Sequence, residues 1–300
     1  MSAAPPPIVG GEASALAPAV GVLMARDDET GELRAFCTAG LLSPRAALSA
    51  AHCAPAARDY VRAGFSLAFG RGASLDALVE DIALDGVFVH PGYDPRTLEH
   101  DAAVFVLAQD SDAPEWLQAD DSLPAGPAPA TLDFVGYGVT GDGLDDAGLR
   151  RLVRLPYDGD DDRFLYTYDP GGENLCSSDS GAPALLLGEG GASRVVGIAS
   201  FVYAVDSADT YCIGGGAGIT RIDLQMDFLE EVLALDLGAE SGAEPLDGSI
   251  EDDFDAGTMS VFPEAKEGGC AAASGGPVGP LAWLALALGL GLLRSAGRRV

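Results

Sequence analysis

Basic residues are scarce in this sequence. Its 300 residues include 17 Lys and Arg against 46 Asp and Glu, for a net charge of −29, and Lys266 is the only lysine. Because proteins that bind nucleic acid present a basic face, this balance argues against a nucleic-acid partner. Acidity of this degree is typical of a solvated surface, and we assign no function to it.

The sequence also lacks a zinc-binding cysteine pattern. Its five cysteines are Cys37, Cys53, Cys176, Cys212 and Cys270, and no two form a paired CxxC spacing. The first four suit two disulfides, with three pairings open. Disulfides indicate an oxidising compartment outside the cytosol.

An export signal is missing from the start of the chain. Residues 1–7, MSAAPPP, have neither the charged nor the apolar region of a signal peptide. Since disulfides require export, we expect the natural start to lie upstream, with residues 1–7 the remainder of a propeptide or leader.

A membrane span of ordinary length is absent too, although the C-terminal region has an unusual order. Residues 236–269 are rich in Gly, Glu, Asp and Ala, which predicts an acidic flexible linker. Residues 270–300 contain Cys270, the 13 apolar residues Leu281–Leu293, and three terminal arginines, where a span needs about 20 apolar residues. We expect a short apolar helix there.

This order of cysteine, apolar helix and arginines resembles a bacterial C-terminal sorting signal of the kind found on myxobacterial surface proteins. The resemblance implies sorting machinery that processes the chain at or near Cys270, the position of sorting or lipid attachment. It also implies membrane contact before processing and an extracellular or outer-surface location. A plain membrane anchor is the alternative.

Residues 8–235 read as one all-β unit without internal repeats. Short apolar runs separated by Gly, Pro and Asp predict strands; they are Ala19–Met24, Phe36–Leu42, Val87–Val89, Ala102–Leu107, Thr131–Val135 and Val195–Val202. Leu224, Phe228, Leu229 and Val232 have helical spacing, which predicts one helix behind Asp223 as its N-cap.

Five ordered segments within this unit resemble the trypsin/chymotrypsin family of serine proteases. They are IVGG from Ile8, LSAAHC ending at Cys53, the segment from Val89 to Asp101, GYG at 136–138, and CSSDSGAP from Cys176. The resemblance implies two packed antiparallel six-stranded Greek-key β-barrels with a C-terminal helix. It also implies peptide-bond hydrolysis through an acyl-enzyme, with protein or peptide substrates and neither cofactor nor metal.

The resemblance implies a catalytic triad of His52, Asp101 and Ser180. The chemistry agrees, because a serine hydroxyl needs a base to take its proton and imidazole titrates near neutral pH. A carboxylate fixes the tautomer of that imidazole. The order His, Asp, Ser along the chain differs from that of subtilisins and α/β-hydrolases.

The resemblance further assigns disulfides Cys37–Cys53 and Cys176–Cys212, and an oxyanion hole of the Ser178 and Ser180 N–H groups. In the chain-entropy model the shorter disulfide contributes roughly 3 kcal/mol. Ser178 and Ala182 stand where the family usually has glycine, which predicts a strained loop and reduced or narrow activity.

Activation in the family pairs a freed N-terminal ammonium with a buried carboxylate, here Ile8 and Asp179. Pro7 precedes Ile8 where a basic residue is usual. We therefore expect a separate activating protease.

The resemblance assigns four residues to substrate binding. Asn174 forms the pocket base, Val202 one wall, Gly218 the other wall, and Ser200 supports Asp101 and lines the peptide edge. An uncharged base and a narrowed entrance predict cleavage after small or medium uncharged residues.

The remaining polar motifs receive structural readings. We expect His90 to lie in a turn and His100 to point away from the site, on the opposite face of Asp101's strand. The acidic loop 158–162 is either solvated or a calcium site without EF-hand spacing.

Two rival functions remain open. One is a catalytically silent homologue that acts as a surface binding module, which Ser178, Ala182 and Pro7 favour. The other is an esterase on the same fold.

Overall fold

Two closed antiparallel β-barrels of six strands each make up the protein. We describe a computed structural model that covers residues 9, 11–13, 16–123, 131–187, 193–205, 210–238, 242–247 and 271–272. The two-barrel all-β architecture expected from the sequence is confirmed. Ile8, Cys270 and the apolar C-terminal segment lie outside the described residues.

A short N-terminal strand, β1 (Glu12–Ala13), precedes the first barrel. The six strands of that barrel are β2 (Val20–Asp27), β3 (Leu33–Leu41), β4 (Ala46–Ser49), β5 (Phe65–Gly72), β6 (Leu78–Val89) and β7 (Ala103–Leu107). They close in the order β2-β3-β4-β7-β6-β5. The predicted strand Val87–Val89 is thus only the end of the longer β6.

After β8 (Gln118–Ala119), the second barrel uses six further strands. These are β9 (Thr131–Gly136), β10 (Arg151–Asp160), β11 (Phe164–Tyr168), β12 (Pro183–Leu187), β13 (Ser193–Tyr203) and β14 (Gly216–Arg221). They close in the order β9-β10-β11-β14-β13-β12. When the strands of each barrel are numbered one to six along the chain, both barrels close in the order 1-2-3-6-5-4.

Three short strands extend the second barrel. Strand β1 pairs with β10, β8 pairs in parallel with β13, and β15 (Ala271–Ala272) pairs in parallel with Phe201 and Val202 of β13. The last pairing places two residues of the C-terminal region on the edge that the sequence predicts to bind substrate.

The described residues contain two α-helices, α1 (Cys53–Arg62) and α2 (Met226–Leu233), and a 3₁₀ helix (Leu75–Ala77). Helix α1 follows His52 directly. The predicted C-terminal helix is present, but Gln225 occupies its N-cap position. Asp223 instead pairs with Arg221 at 2.6 Å, and Leu224 is 42% exposed. The N-cap thus lies two residues later than predicted.

Part of the segment predicted to be a flexible linker packs on the first barrel. Leu237 and Leu246 are buried in its core cluster, and Glu244 exchanges backbone hydrogen bonds with Val87. Arg58 of α1 donates to Glu244 at 2.5 Å. Two leucines and one ion pair therefore hold described residues of 236–247 in place.

No helix within the described ranges is long and apolar enough to cross a membrane.

Candidate active site

His52 and Asp101 meet where β4 and β7 of the first barrel lie side by side. His52 follows β4 and Asp101 precedes β7, and the two strands pair antiparallel. Asp101 is fully buried and accepts two hydrogen bonds from His52, one from Nδ1 at 2.7 Å and one from the backbone N–H at 2.9 Å. The carboxylate thus fixes both the ring and the backbone of His52.

Ser200 of the second barrel completes the carboxylate's surroundings. Its hydroxyl donates to Asp101 Oδ2 at 2.5 Å, and the residue is buried. An ionised carboxylate that accepts three hydrogen bonds is well compensated for its loss of water. The contact also joins the two barrels at this point.

Ser180 lies in the turn before β12, between the two barrels. Its carbonyl accepts from the Thr38 N–H at 2.8 Å, and the next N–H, of Gly181, donates to the carbonyl of Ala199 at 2.8 Å. Ser180 is therefore held between β3 and the residue that precedes Ser200. Gly181 has φ +82°, and a Cβ there would lie 2.0 Å from the Ser49 hydroxyl, so this close approach requires glycine.

The pKa of His52 is raised above its ordinary value. Burial alone lowers this pKa, but the charge of Asp101 and the hydrogen bond to it outweigh the burial. Within the described part of the chain, the buried Nε2 atom of His52 has no hydrogen-bond partner. A ring held by Nδ1 with Nε2 available is the arrangement that a general base requires.

Ser178 adopts a left-handed backbone, with φ +69°. Such a conformation costs a residue with a Cβ about 1–2 kcal/mol. The Ser178 carbonyl accepts from Thr38 Oγ1 at 2.9 Å, and its hydroxyl donates to the Ala35 carbonyl at 3.3 Å. These two bonds hold the strained turn, and the Ser178 N–H has no acceptor among the described residues.

Asp179 is a fully buried carboxylate behind Ser180. It accepts from the N–H of Gly138 at 2.8 Å and from the N–H of Cys176 at 3.0 Å. Burial raises its pKa to about 7, although these two hydrogen bonds and the charge of Arg151 lower it. The N-terminal segment runs close by, because the N–H of Asn174 donates to the Val9 carbonyl at 3.2 Å.

The loop of Ser180 is also fixed covalently. Cys176–Cys212 is a disulfide, and so is Cys37–Cys53 beside His52. The pairing that the resemblance implied is confirmed.

The residues predicted to form the pocket come from three segments. Asn174 is buried, and its amide donates to the carbonyls of Tyr211 at 3.0 Å and Gly216 at 3.3 Å. Val202 is buried on β13, directly opposite Ala217 of β14. Both aliphatic side chains belong to the core cluster of the second barrel.

Gly218 does not face Val202. Its cross-strand partner is Phe201, and a Cβ at Gly218 would lie 2.1 Å from the Phe201 ring. Ala217, opposite Val202, is fully buried in the core cluster of the second barrel, so Gly218 stays the predicted second wall. Successive strand residues point to opposite faces, and the register of β13 against β14 shifts between Ala199 and Phe201.

A family model described as trypsin matches residues 8–222. The chain belongs to the trypsin family. It is thus a trypsin-like serine protease by descent, a family of hydrolases that act on protein or peptide substrates. No curated protein matches the sequence closely.

Solved structures of this fold include two of human heparin binding protein, one at atomic resolution. Each is 20% identical to this trypsin-family chain, covers 75% of it and 96% of its own length, and superposes with a TM-score of 0.58. At this identity the likeness concerns the fold.

The other histidines of this trypsin-family chain lie together, outside the triad's contacts. The rings of His90 and His100 stack at 4.4 Å, and His100 Nδ1 hydrogen-bonds to Gln225 Oε1 at 3.0 Å. His100 has φ +53° and lies in the turn before β7, so the expected strand position is incorrect. Burial, then the charge of His100, lowers the pKa of His90 to about 4.

The acidic loop 158–162 uses its carboxylates within the protein. Asp161 accepts from the N–H groups of Arg163 and Phe164 and from the Tyr166 hydroxyl, and Asp160 pairs with Arg221 at 3.5 Å. The one described cluster of three metal-ligand residue types is Cys37, His52 and Cys53, whose sulfurs form a disulfide.

Sequence reasoning missed Thr38 at this trypsin-family site. Its hydroxyl donates to the Ser178 carbonyl and accepts from the Tyr137 N–H at 3.2 Å, so it connects the turn at Ser178 to the GYG segment. Its position next to Cys37 in a matched motif was the available signal.

Proposed function

We propose that this chain is an active serine endopeptidase that cleaves after small or medium uncharged residues at the bacterial cell surface. The observation that carries the proposal is the hydrogen-bonded array in which Ser200 and Asp101 fix His52 with its Nε2 atom available. A silent homologue has no need for that constraint on a partly buried imidazole.

The proposed reaction assigns one step to each of these groups. The Ser180 hydroxyl attacks the scissile carbonyl carbon while His52 Nε2 takes its proton, and Asp101 stabilises the imidazolium that forms. The N–H groups of Ser178 and Ser180 receive the negative charge on the carbonyl oxygen. The imidazolium then protonates the leaving amine, and water hydrolyses the acyl-enzyme by the same route.

The proposed cleavage preference depends on the predicted pocket residues. Asn174 bears no charge, so it offers nothing to balance a buried Arg or Lys side chain. Val202 stands where the family often has glycine, so a narrowed entrance favours a small or medium side chain. The substrate backbone would pair with the edge at Ser200–Val202, where it replaces the pairing of Ala271–Ala272.

Activation would follow cleavage before Ile8 by another protease. The raised pKa of Asp179 supports this step, because a buried carboxylate of this kind gains most from a cation placed beside it. The contact between Val9 and Asn174 puts the N-terminal segment within this region.

Only features of the sequence support delivery of the protein to the cell surface. The order of Cys270, an apolar stretch and terminal arginines supports sorting with processing near Cys270. The two disulfides are consistent with export.

Besides Ser178, Ala182 and Pro7, the binding-module alternative has in its favour that the similar solved structures are named for heparin binding. A net charge of −29 opposes the capture of a polyanion by this chain.

A fluorophosphonate probe tests the proposed activity. The chain is produced with a site-specific protease sequence in place of residues 1–7 and cleaved so that Ile8 becomes the N-terminus. We expect labelling of the cleaved chain that is lost in Ser180→Ala and kept in Ser177→Ala. Absence of labelling and of peptide cleavage in the cleaved chain would favour the silent homologue, and ester turnover without amide turnover would favour the esterase.

A further inference from the structure

Asp142 makes an unusual set of contacts outside the triad and the pocket. It lies in the turn after β9, and its carboxylate accepts from three consecutive backbone N–H groups. The distances are 2.9 Å from Tyr211, 3.2 Å from Cys212 to each oxygen, and 3.2 Å from Ile213. Successive N–H groups aimed at one anion form a nest, and hydrogen bonds to a charge are about twice as strong as neutral ones.

The loop held in this way joins the base of the pocket to its wall. The Tyr211 carbonyl accepts from the amide of Asn174, the predicted base. Cys212 is disulfide-bonded to Cys176, in the same loop as Ser180. The loop then continues into β14, whose first residue, Gly216, accepts a second hydrogen bond from the Asn174 amide and whose third residue is the predicted wall residue Gly218. A shift of residues 211–213 would therefore move both sides of the pocket.

Apolar packing fixes the Ile213 end of this loop only weakly, whereas Cys212 is buried in a cluster with Val139 and Cys176. Ile213 packs over Gly141, where an added Cβ would lie 3.2 Å from its Cδ1 atom, and close to Leu144. Both side chains are 52% exposed, so little apolar area leaves water there. The carboxylate of Asp142 accordingly supplies the directional part of the restraint.

We propose that Asp142 is a positioning residue that sets the geometry of the pocket wall and thereby the affinity for the side chain before the scissile bond. This inference rests on the proposed protease function and deepens it. Asp142 touches neither substrate nor triad; it acts through the loop 211–213.

The test compares Asp142→Asn with Asp145→Asn in the cleaved chain. Asp145 is an exposed acid three residues away that makes no hydrogen bond within the described residues. An asparagine keeps one acceptor oxygen and turns an NH₂ group toward the remaining N–H donors. Two peptide substrates are used that differ only in Val or Gly before the scissile bond.

We expect Asp142→Asn to raise KM for the Val substrate by roughly tenfold, the equivalent of about one charge-assisted hydrogen bond. The kcat of this substrate, the KM of the Gly substrate and the rate of fluorophosphonate labelling should stay within about twofold, because none of them depends on the pocket wall. Asp145→Asn should match the parent in every measurement.

Unchanged KM for the Val substrate in Asp142→Asn would overturn the inference. So would an equal loss for both substrates together with slower labelling, which would indicate a general defect in folding. The same peptides are also titrated calorimetrically against chains carrying Ser180→Ala. A weaker affinity for the Val peptide with Asp142→Asn would support the role of Asp142 even if the parent proved catalytically silent, whereas equal affinity would refute it.

Discussion

The buried carboxylate of Asp179 makes the stability of the uncleaved chain depend on pH. Burial raises the pKa of Asp179 from an ordinary value near 3.8 to about 7. A difference of about 3 units corresponds to about 4 kcal/mol. Because the folded state holds this proton more tightly than the unfolded state, the stabilisation is complete below about pH 4 and is lost as the pH rises to about 7.

Asp179→Asn isolates this contribution. Asparagine resembles the protonated carboxyl, since it keeps one acceptor for the N–H of Gly138 or Cys176. We expect the variant to match the parent near pH 4 and to exceed it by up to about 4 kcal/mol at pH 8. The measurement is urea unfolding of uncleaved chains carrying Ser180→Ala, from pH 4 to pH 8.

In the chain cleaved before Ile8, the parent should be more stable than Asp179→Asn. With a free ammonium beside it, Asp179 becomes one half of a buried ion pair, and its loss then costs about 3–5 kcal/mol. Asp145→Asn, at an exposed acid, serves as the control in both forms. A parent and an Asp179→Asn variant with parallel stability curves from pH 4 to pH 8 in the uncleaved form would refute the reasoning.

Three further changes address the catalytic groups and the pocket. Because the base must be neutral, the raised pKa of His52 should place the acid limb of the pH profile of kcat/KM above pH 6.5. In Asp101→Asn this limb should move to lower pH, and an unmoved limb would contradict the role of Asp101 in raising the pKa. Val202→Gly should shift preference from Ala toward Phe before the scissile bond by widening the predicted pocket entrance, and an unchanged preference in a peptide library would place the pocket elsewhere. Ser178→Gly should stabilise the chain by about 1 kcal/mol, because glycine adopts φ +69° without strain; thermal unfolding measures this, and a loss of stability would show that the Ser178 hydroxyl bond outweighs the strain.

The sequence identified the residues that carry the proposed chemistry because each lies in a short local pattern. His52 follows an apolar strand and precedes Cys53, and Ser180 sits within CSSDSGAP. Such patterns can be recognised without knowledge of the fold, because tight turns, disulfides and a nucleophile require particular residue types at fixed spacing. The disulfide pairing and the two-barrel architecture followed from the family resemblance that these patterns carry.

Register, by contrast, was beyond the sequence. The pairing of β13 with β14 shifts between Ala199 and Phe201, so that Val202 lies opposite Ala217 and Phe201 lies opposite Gly218. A shift of one residue moves a side chain to the other face of a sheet. Counting along the chain does not reveal such a shift.

Contacts between distant segments were decided only by the tertiary structure. Glu244, in a segment with the composition of a linker, pairs with Arg58 of α1, and Leu246 is buried in the core of the first barrel. The carboxylate of Asp142 meets N–H groups from 69 residues further along the chain. Neither contact leaves a local pattern, because the partners become neighbours only when two barrels have closed. Local composition therefore determined which groups this protein has for chemistry, and long-range packing determined what holds them in place.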